Sequence, residues 1–155
     1  MRIAVLDVYD GSGAVKPTEL QNRLTQRLLE LGYAGAVPRT VKTPRSEWDP
    51  VEASQAAQAH GADAALVGGL WLEGDGPDPR KAEDAESLYS EPAGRRNYYA
   101  RDLFGEGYRG PRVLASVRLI DAKSGKPLYG AEVALPARDL SEATLADMLL
   151  EPLEN

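Results

Sequence analysis

Residues 62–72 read Ala-Asp-Ala-Ala-Leu-Val-Gly-Gly-Leu-Trp-Leu, and every residue after Asp63 is apolar or glycine. An apolar run of this length is typical of a β-strand whose two faces are both covered. We therefore predict that this segment is the central strand of a sheet. The short apolar runs at residues 3–8 and 113–120 become its neighbours, because pairing beside it buries them.

The composition is that of one soluble domain. Of the 155 residues, 43% are hydrophobic and 27% are charged, and no run approaches the roughly 18 apolar residues that a membrane helix needs. A chain of this length buries a core of its own. We expect a single domain over residues 1–155.

Charge and cysteine content exclude several classes of function. A net charge of -6 argues against a nucleic-acid partner, because binding to phosphates depends on Lys and Arg. The chain has no cysteine and one histidine, which excludes a thiolate nucleophile and metal sites built from Cys or several His.

Two helices are predicted between the first three strands. In the first helix, four leucines recur at spacings of four, four and three and form one apolar stripe: Leu20, Leu24, Leu28 and Leu31. Thr18 and Gln21 fit a capping box at its start, and Gly32 suits the left-handed position after its end. The second helix is predicted at about residues 50–60, where small side chains indicate close packing on the sheet.

The last third of the chain predicts a hairpin and a helix. Residues 113–120 and 128–135 are two apolar runs joined by a turn in which Gly125 suits the left-handed position. The strand at 128–135 is a candidate for an exposed sheet edge. Ser141 is expected to cap the final helix.

The region at about residues 73–111 is rich in Pro, Gly and charge of both signs, and we interpret it as a long surface insertion. Its second half carries the residue types that dominate protein interfaces. We predict that the partner-binding residues are Arg95, Arg96, Tyr98, Tyr99, Arg101, Phe104, Tyr108 and Arg109. The simpler alternative is a solvated loop whose charges only keep it soluble.

The element order β-α-β-α-β-β-β-α predicts an α/β (α+β) fold with a mixed five-stranded sheet. The second strand is the weaker run at residues 33–38. Right-handed crossovers between the first three strands, followed by the antiparallel hairpin, give the strand order 2-1-3-4-5 with helices on both faces.

We find no pattern that carries catalysis. Asp7 and Asp63 flank different strands as separate acids, and His60 lies at a predicted helix C-terminus, where an imidazole suits the helix dipole. We therefore predict no catalytic residue, no cofactor and no metal. One alternative stays open: the loop at residues 10–16 follows the first strand and precedes a helix, where backbone amides bind phosphate in other α/β proteins.

Two segments resemble a superfamily of bacterial envelope proteins. In residues 56–69 a helix ends in Gly-Ala-Asp at 61–63 before a strand with Gly near its end. In residues 113–129 the sequence Arg-Leu-Ile-Asp at 118–121 precedes a Ser-Gly turn at 124–125. The chain is similar here to the curli-secretion lipoprotein, the lipoprotein activators of penicillin-binding proteins, the Pel polysaccharide-export lipoprotein and the N-terminal domain of TolB.

This resemblance implies a fold like that of anticodon-binding domains and a role as a non-enzymatic accessory protein. It implies a periplasmic location with an outer-membrane lipid anchor, which this cysteine-free chain does not itself contain, and often a homo-oligomer. The implied partner is another envelope component, in secretion, polysaccharide export or regulation of cell-wall synthases. The alternative is a cytoplasmic nucleotide- or phosphate-binding protein that uses the loop at residues 10–16.

Overall fold

The computed structural model describes residues 1–13, 15–39, 49–72, 98–102, 112–136 and 140–154, with residues 98–102 as backbone. Within these ranges the elements are β1 (Arg2–Val5), β2 (Tyr9–Asp10), α1 (Pro17–Glu30), β3 (Gly35–Pro38), α2 (Pro50–Ala59), β4 (Ala64–Leu72), β5 (Tyr98–Asp102), β6 (Arg112–Asp121), β7 (Pro127–Pro136), α3 (Glu142–Leu150) and a 3₁₀ turn (Glu151–Glu154).

The described strands form one mixed sheet in the order β3-β1-β4-β6-β7-β5, and the short β2 pairs with β4. β4 pairs in parallel with β1 over its first three residues. It pairs antiparallel with β6 along its whole length. Seven of its nine residues are buried. The predicted central strand and the predicted order 2-1-3-4-5, which is β3-β1-β4-β6-β7 here, are both confirmed.

Two strands were not predicted, so the count of five is too low. β2 adds two residues beside the C-terminal half of β4. β5 lies within the predicted insertion at 73–111 and pairs in parallel with β7, from Tyr98 opposite Gly130 to Asp102 opposite Ala134. Part of the predicted insertion is therefore a strand. The expectation that residues 128–135 form a sheet edge is wrong, because β5 covers that edge.

α1 and α3 pack together on one face of the sheet. Leu20, Leu24 and Leu28 of the predicted stripe are at most 1% exposed, whereas Leu31 is only partly buried against the same core. These side chains meet the alternate residues of β1, β4, β6 and β7 that point to this face. Each buried leucine contributes roughly 1.5–3 kcal/mol, so the stripe sets which side of α1 faces the sheet.

The predicted capping box at the start of α1 does not form. The helix begins at Pro17, and the N-cap residue Lys16 makes no side-chain cap. Gln21 is instead buried, and its side-chain amide donates to the carbonyls of Val5 at 2.8 Å and Arg39 at 3.1 Å. Gln21 therefore ties the ends of β1 and β3 together and is not available to cap a helix.

α2 lies on the other face and completes the predicted arrangement of helices on both faces. Ala53 and Ala57 are fully buried against Ala65 and Val67 of β4. Side chains this small allow the helix to approach the sheet closely, as the sequence indicates.

The Gly-Ala-Asp motif at 61–63 connects neighbouring elements of the sheet through hydrogen bonds. Gly61 has φ +67° and ends α2. The Asp63 carboxylate accepts from the Arg2 amide at 2.8 Å, and the Asp63 amide donates to the Arg2 carbonyl at 2.8 Å. The amide of Ala122 donates to the Asp63 carbonyl at 2.9 Å. The motif therefore has a structural role, joining β1, β4 and the turn after β6.

The other residues predicted to end a helix, form a turn or cap a helix are confirmed. Gly32 and Gly125 have φ of +100° and +71°, and the Ser141 hydroxyl accepts from the Thr144 amide at 3.1 Å at the start of α3. In the β6–β7 turn, the amide and hydroxyl of Ser124 donate to the Asp121 carboxylate. These hydrogen bonds hold the pKa of Asp121 below its ordinary value. Local sequence therefore sets these turns.

Candidate functional site

The structure places part of the predicted partner-binding surface at one edge of the sheet. Tyr98, Tyr99 and Arg101 lie in β5, the last strand beyond β7. Arg95, Arg96, Phe104, Tyr108 and Arg109 lie outside the described residues. The backbone thus brings three of the predicted residues to a single edge strand, which no pattern in the sequence predicted.

The opposite edge, β3, is poorly suited to accept another strand. The Arg39 amide donates inward to the Val5 carbonyl at 2.8 Å, so alternation along the strand directs Ala36 and Pro38 away from β1. The Ala36 amide already donates to the Tyr33 carbonyl at 3.1 Å, and proline has no N–H. Neither outward residue of β3 offers a donor, which is one way that proteins protect sheet edges.

The loop after β2 uses its own carboxylate to satisfy its amides. Asp10 Oδ1 accepts from the Ser12 amide at 2.9 Å, the Ser12 hydroxyl at 2.6 Å and the Gly13 amide at 3.1 Å. The Gly11 amide donates to the Leu70 carbonyl at 2.8 Å. The amides of residues 11–13 are therefore bound within the protein, and the nearby carboxylate repels an anion.

A second carboxylate occupies the start of α1. The Lys16 amide donates to Glu142 Oε1 at 3.0 Å, and Glu142 itself belongs to the first turn of α3. This side chain thus lies at the N-termini of two helices, where negative charge is favoured. The hydrogen bond from Lys16 and that from its own backbone lower the pKa of Glu142. The geometry is unfavourable for the alternative of phosphate binding at residues 10–16.

Replacing Glu142 with alanine is expected to lower the free energy of unfolding by about 1 kcal/mol at neutral pH, as for other lost helix caps. Because the folded-state pKa lies below the ordinary value of 4.5, this contribution is full above that pH and is lost as the pH falls through the folded pKa. Urea unfolding at neutral pH and near pH 3 measures the difference. The matched control is Glu19→Ala, an exposed acid in the first turn of α1. An equal loss at both pH values would contradict the hydrogen-bonding role.

A groove of about 500 Å³ lies between α1 and α3. Arg27 binds Glu30 across 3.0 Å and Asp147 across 3.5 Å, so it links the two helices. The lining of the groove mixes both signs of charge with small and apolar side chains: Arg23, Gln26, Arg27, Glu30, Ala143, Ala146, Asp147, Met148 and Glu151. Partly exposed ion pairs of this kind stabilise by about 1 kcal/mol or less. The groove therefore has no single charge that would select an anion or a cation.

A buried pair of opposite charges lies on the sheet face that carries α2. Arg118 of β6 is 5% exposed and Glu132 of β7 is 2% exposed. The register places Glu132 opposite Ser116, two residues from Arg118 on the same face. Burial lowers the pKa of Arg118 to about 10, and the charge of Glu132 opposes that shift.

The sequence patterns described above do not predict this pair. Arg118 belongs to the Arg-Leu-Ile-Asp motif, and Glu132 belongs to no motif. The signal that was available is their spacing around the predicted turn, because two charges in otherwise apolar hairpin strands pair across it.

Two further kinds of functional feature, a membrane-spanning helix and a metal-binding cluster, were sought among the described residues. No described helix is long and apolar enough to cross a bilayer. The same ranges contain no group of three or more acids or histidines that would hold a metal ion.

The arrangement defines a class by fold: a mixed α/β sheet with α1 and α3 on one face and α2 on the other. This fold is shared with the subunit of a solved dodecamer. The solved PelC dodecamer from Paraburkholderia phytofirmans, in a variant form, has a subunit 17% identical to this chain, with 99% of this chain and 89% of that subunit covered and a TM-score of 0.50.

Two further solved structures are similar. A second crystal form of the P. phytofirmans PelC dodecamer is 16% identical over 99% of this chain and 86% of its own, with a TM-score of 0.49. Lipoprotein GNA1162 from Neisseria meningitidis is 14% identical over 98% of this chain and 92% of its own, with a TM-score of 0.43. No protein-family model and no curated protein sequence matches the chain. The resemblance to the Pel protein is confirmed at the level of the fold by the first of these structures.

Proposed function

We propose that the protein is a non-enzymatic accessory protein of the bacterial envelope that assembles with copies of itself and binds another envelope component. The observation that carries this proposal is that 99% of the chain shares the fold of a subunit from the PelC dodecamer. The proposed location is the periplasm, with attachment to the outer membrane through a lipid anchor outside this chain.

The proposed contact with the partner is the eight-residue set at 95–109, of which Tyr98, Tyr99 and Arg101 lie in β5. Tyr and Arg bury large areas and form hydrogen bonds at interfaces. Sequence composition thus supports this surface.

Three of the acidic side chains described above have structural partners, which supports a non-enzymatic role. Asp63 clamps β1, Glu142 caps α1, and Asp10 closes its own loop. A cytoplasmic phosphate-binding protein is the competing function, and the occupied amides at residues 11–13 weigh against it.

The experiment follows the native gene product, expressed from its own start and tagged at its C-terminus, through cell fractionation and in-cell crosslinking. It is expected in the periplasmic or outer-membrane fraction, crosslinked to one envelope protein. Reversing charge with Arg95→Glu and Arg96→Glu should weaken that crosslink in a salt-dependent way, because rim charges steer association.

The control for this experiment is Arg23→Glu, an exposed arginine of α1 on a different part of the surface. It should leave the crosslink unchanged. A cytosolic protein that binds ATP or GTP saturably at micromolar concentration would overturn the proposal in favour of the phosphate-binding alternative.

A further inference from the structure

Among the described strands, β5 is the sheet edge that is open to a further strand. Its sequence, Tyr98-Tyr99-Ala100-Arg101-Asp102, contains neither proline nor glycine, and aromatic residues favour strands. In the part of the chain that the structure describes, β5 pairs with β7 on one side and with no strand on the other. Every second residue of such an edge strand directs its N–H and C=O away from the sheet.

The opposite edge constrains how copies of this chain extend the sheet. Head-to-tail extension would join β5 of one copy to β3 of the next, but the outward Ala36 amide is bonded to Tyr33 and the outward Pro38 has no N–H. Sheet extension is then left to β5 in both copies. Two identical edges meet about a two-fold axis, and their strands run antiparallel.

The sequence of β5 is complementary to itself in one such register. When two strands are centred on Ala100, all five residues are paired, and Arg101 of each copy lies opposite Tyr99 of the other. This register places no like charges opposite each other. A register centred on Arg101 would place two like charges opposite each other, which is destabilising.

We propose that β5 joins β5 of a second copy in antiparallel register centred on Ala100 and so makes one continuous sheet across a two-fold axis. The inference rests on the proposed self-assembly and names its contact. A larger assembly built on this contact contains an even number of copies.

A single-cysteine scan tests the register directly, because the chain has no cysteine of its own. Directly opposite residues of antiparallel strands have Cα atoms about 4.5–5.5 Å apart, within the range that a disulfide spans. Ala100→Cys should therefore give a covalent dimer under mild oxidation. Tyr98→Cys should not, since four residues along a strand separate the two sulfurs by roughly 13 Å. Ala59→Cys, at an exposed position of α2, is the unrelated control.

Light scattering of the wild-type chain and far-UV circular dichroism of each variant accompany the scan. An oligomeric wild-type chain with a covalent dimer formed by Ala100→Cys alone supports the β5 contact. An oligomer without that crosslink, or with equal crosslinking at all three positions, overturns the contact and leaves the proposed function standing. A wild-type chain that stays monomeric at high concentration removes both the β5 contact and the proposed self-assembly.

Discussion

Leu28→Asp is expected to unfold the domain. Leu28 is 0% exposed and lies in the core that joins α1 to the sheet and to α3. The substitution removes roughly 1.5–3 kcal/mol of apolar burial and adds a carboxylate that has no partner there, at a cost of several kcal/mol more. The sum is comparable to the whole stability of a typical domain, about 5–15 kcal/mol.

The next residue of the same helix supplies the matched control. Leu29 is 46% exposed, so Leu29→Asp has the same chemistry without the burial and should change stability by about 1 kcal/mol or less. Near-UV circular dichroism and urea unfolding of both variants measure the contrast. If the two variants were equally stable, α1 would not face the core as described.

Glu132→Leu is expected to lower the free energy of unfolding by about 3–5 kcal/mol, because it removes a carboxylate whose charge stabilises the buried Arg118 guanidinium. Arg118 is 5% exposed and its pKa is already lowered by burial. Removing the neighbouring carboxylate therefore takes away a favourable interaction that the buried cation does not recover from solvent.

The pair is tested by changing both members. The double variant Arg118→Met with Glu132→Leu should regain most of the lost stability, since apolar residues of similar size often replace a buried ion pair without cost. Arg27→Met, at a partly exposed ion pair, is the control and should cost about 1 kcal/mol or less. Additive losses in the double variant would show that Arg118 and Glu132 do not act as a pair.

The position of β5 changes what an excision of residues 74–110 would do. On the surface-insertion interpretation, the excision removes only loop and costs little, because loop-closure entropy varies slowly with length. The structure pairs Tyr98–Asp102 with β7, so the excision also removes a strand and uncovers the β7 edge. An excision intended to test partner binding alone would therefore also alter the sheet.

The candidate site was predicted only in part. Composition indicated an interface between residues 95 and 109, and the structure assigns 98–102 to an edge strand. The edge itself was not predictable, because each residue of β5 pairs with one 32 positions further along the chain, from Tyr98 with Gly130 to Asp102 with Ala134. The protection of β3 also depends on a contact, between Ala36 and Tyr33.

The sequence by itself determined the elements whose signals are local. The apolar run at 64–72, the leucine stripe of α1, the glycines after α1 and in the β6–β7 turn, and the Ser141 cap all act within a few residues of the chain. The strand order followed as well, because crossovers between parallel strands have one hand and a short turn joins antiparallel ones. Burial and backbone conformation at these positions depend on residue type and spacing.

Only the tertiary structure decided the features that join distant segments. Gln21 binds β1 and β3 instead of capping its helix, Arg118 lies diagonally across the hairpin from Glu132, and β5 covers β7. Each involves a polar side chain or a short strand that has several possible partners in the sequence. For Gln21, the partners are the carbonyls that the packed sheet brings within hydrogen-bonding distance, because a buried polar group left without a partner costs more free energy than its local preference supplies.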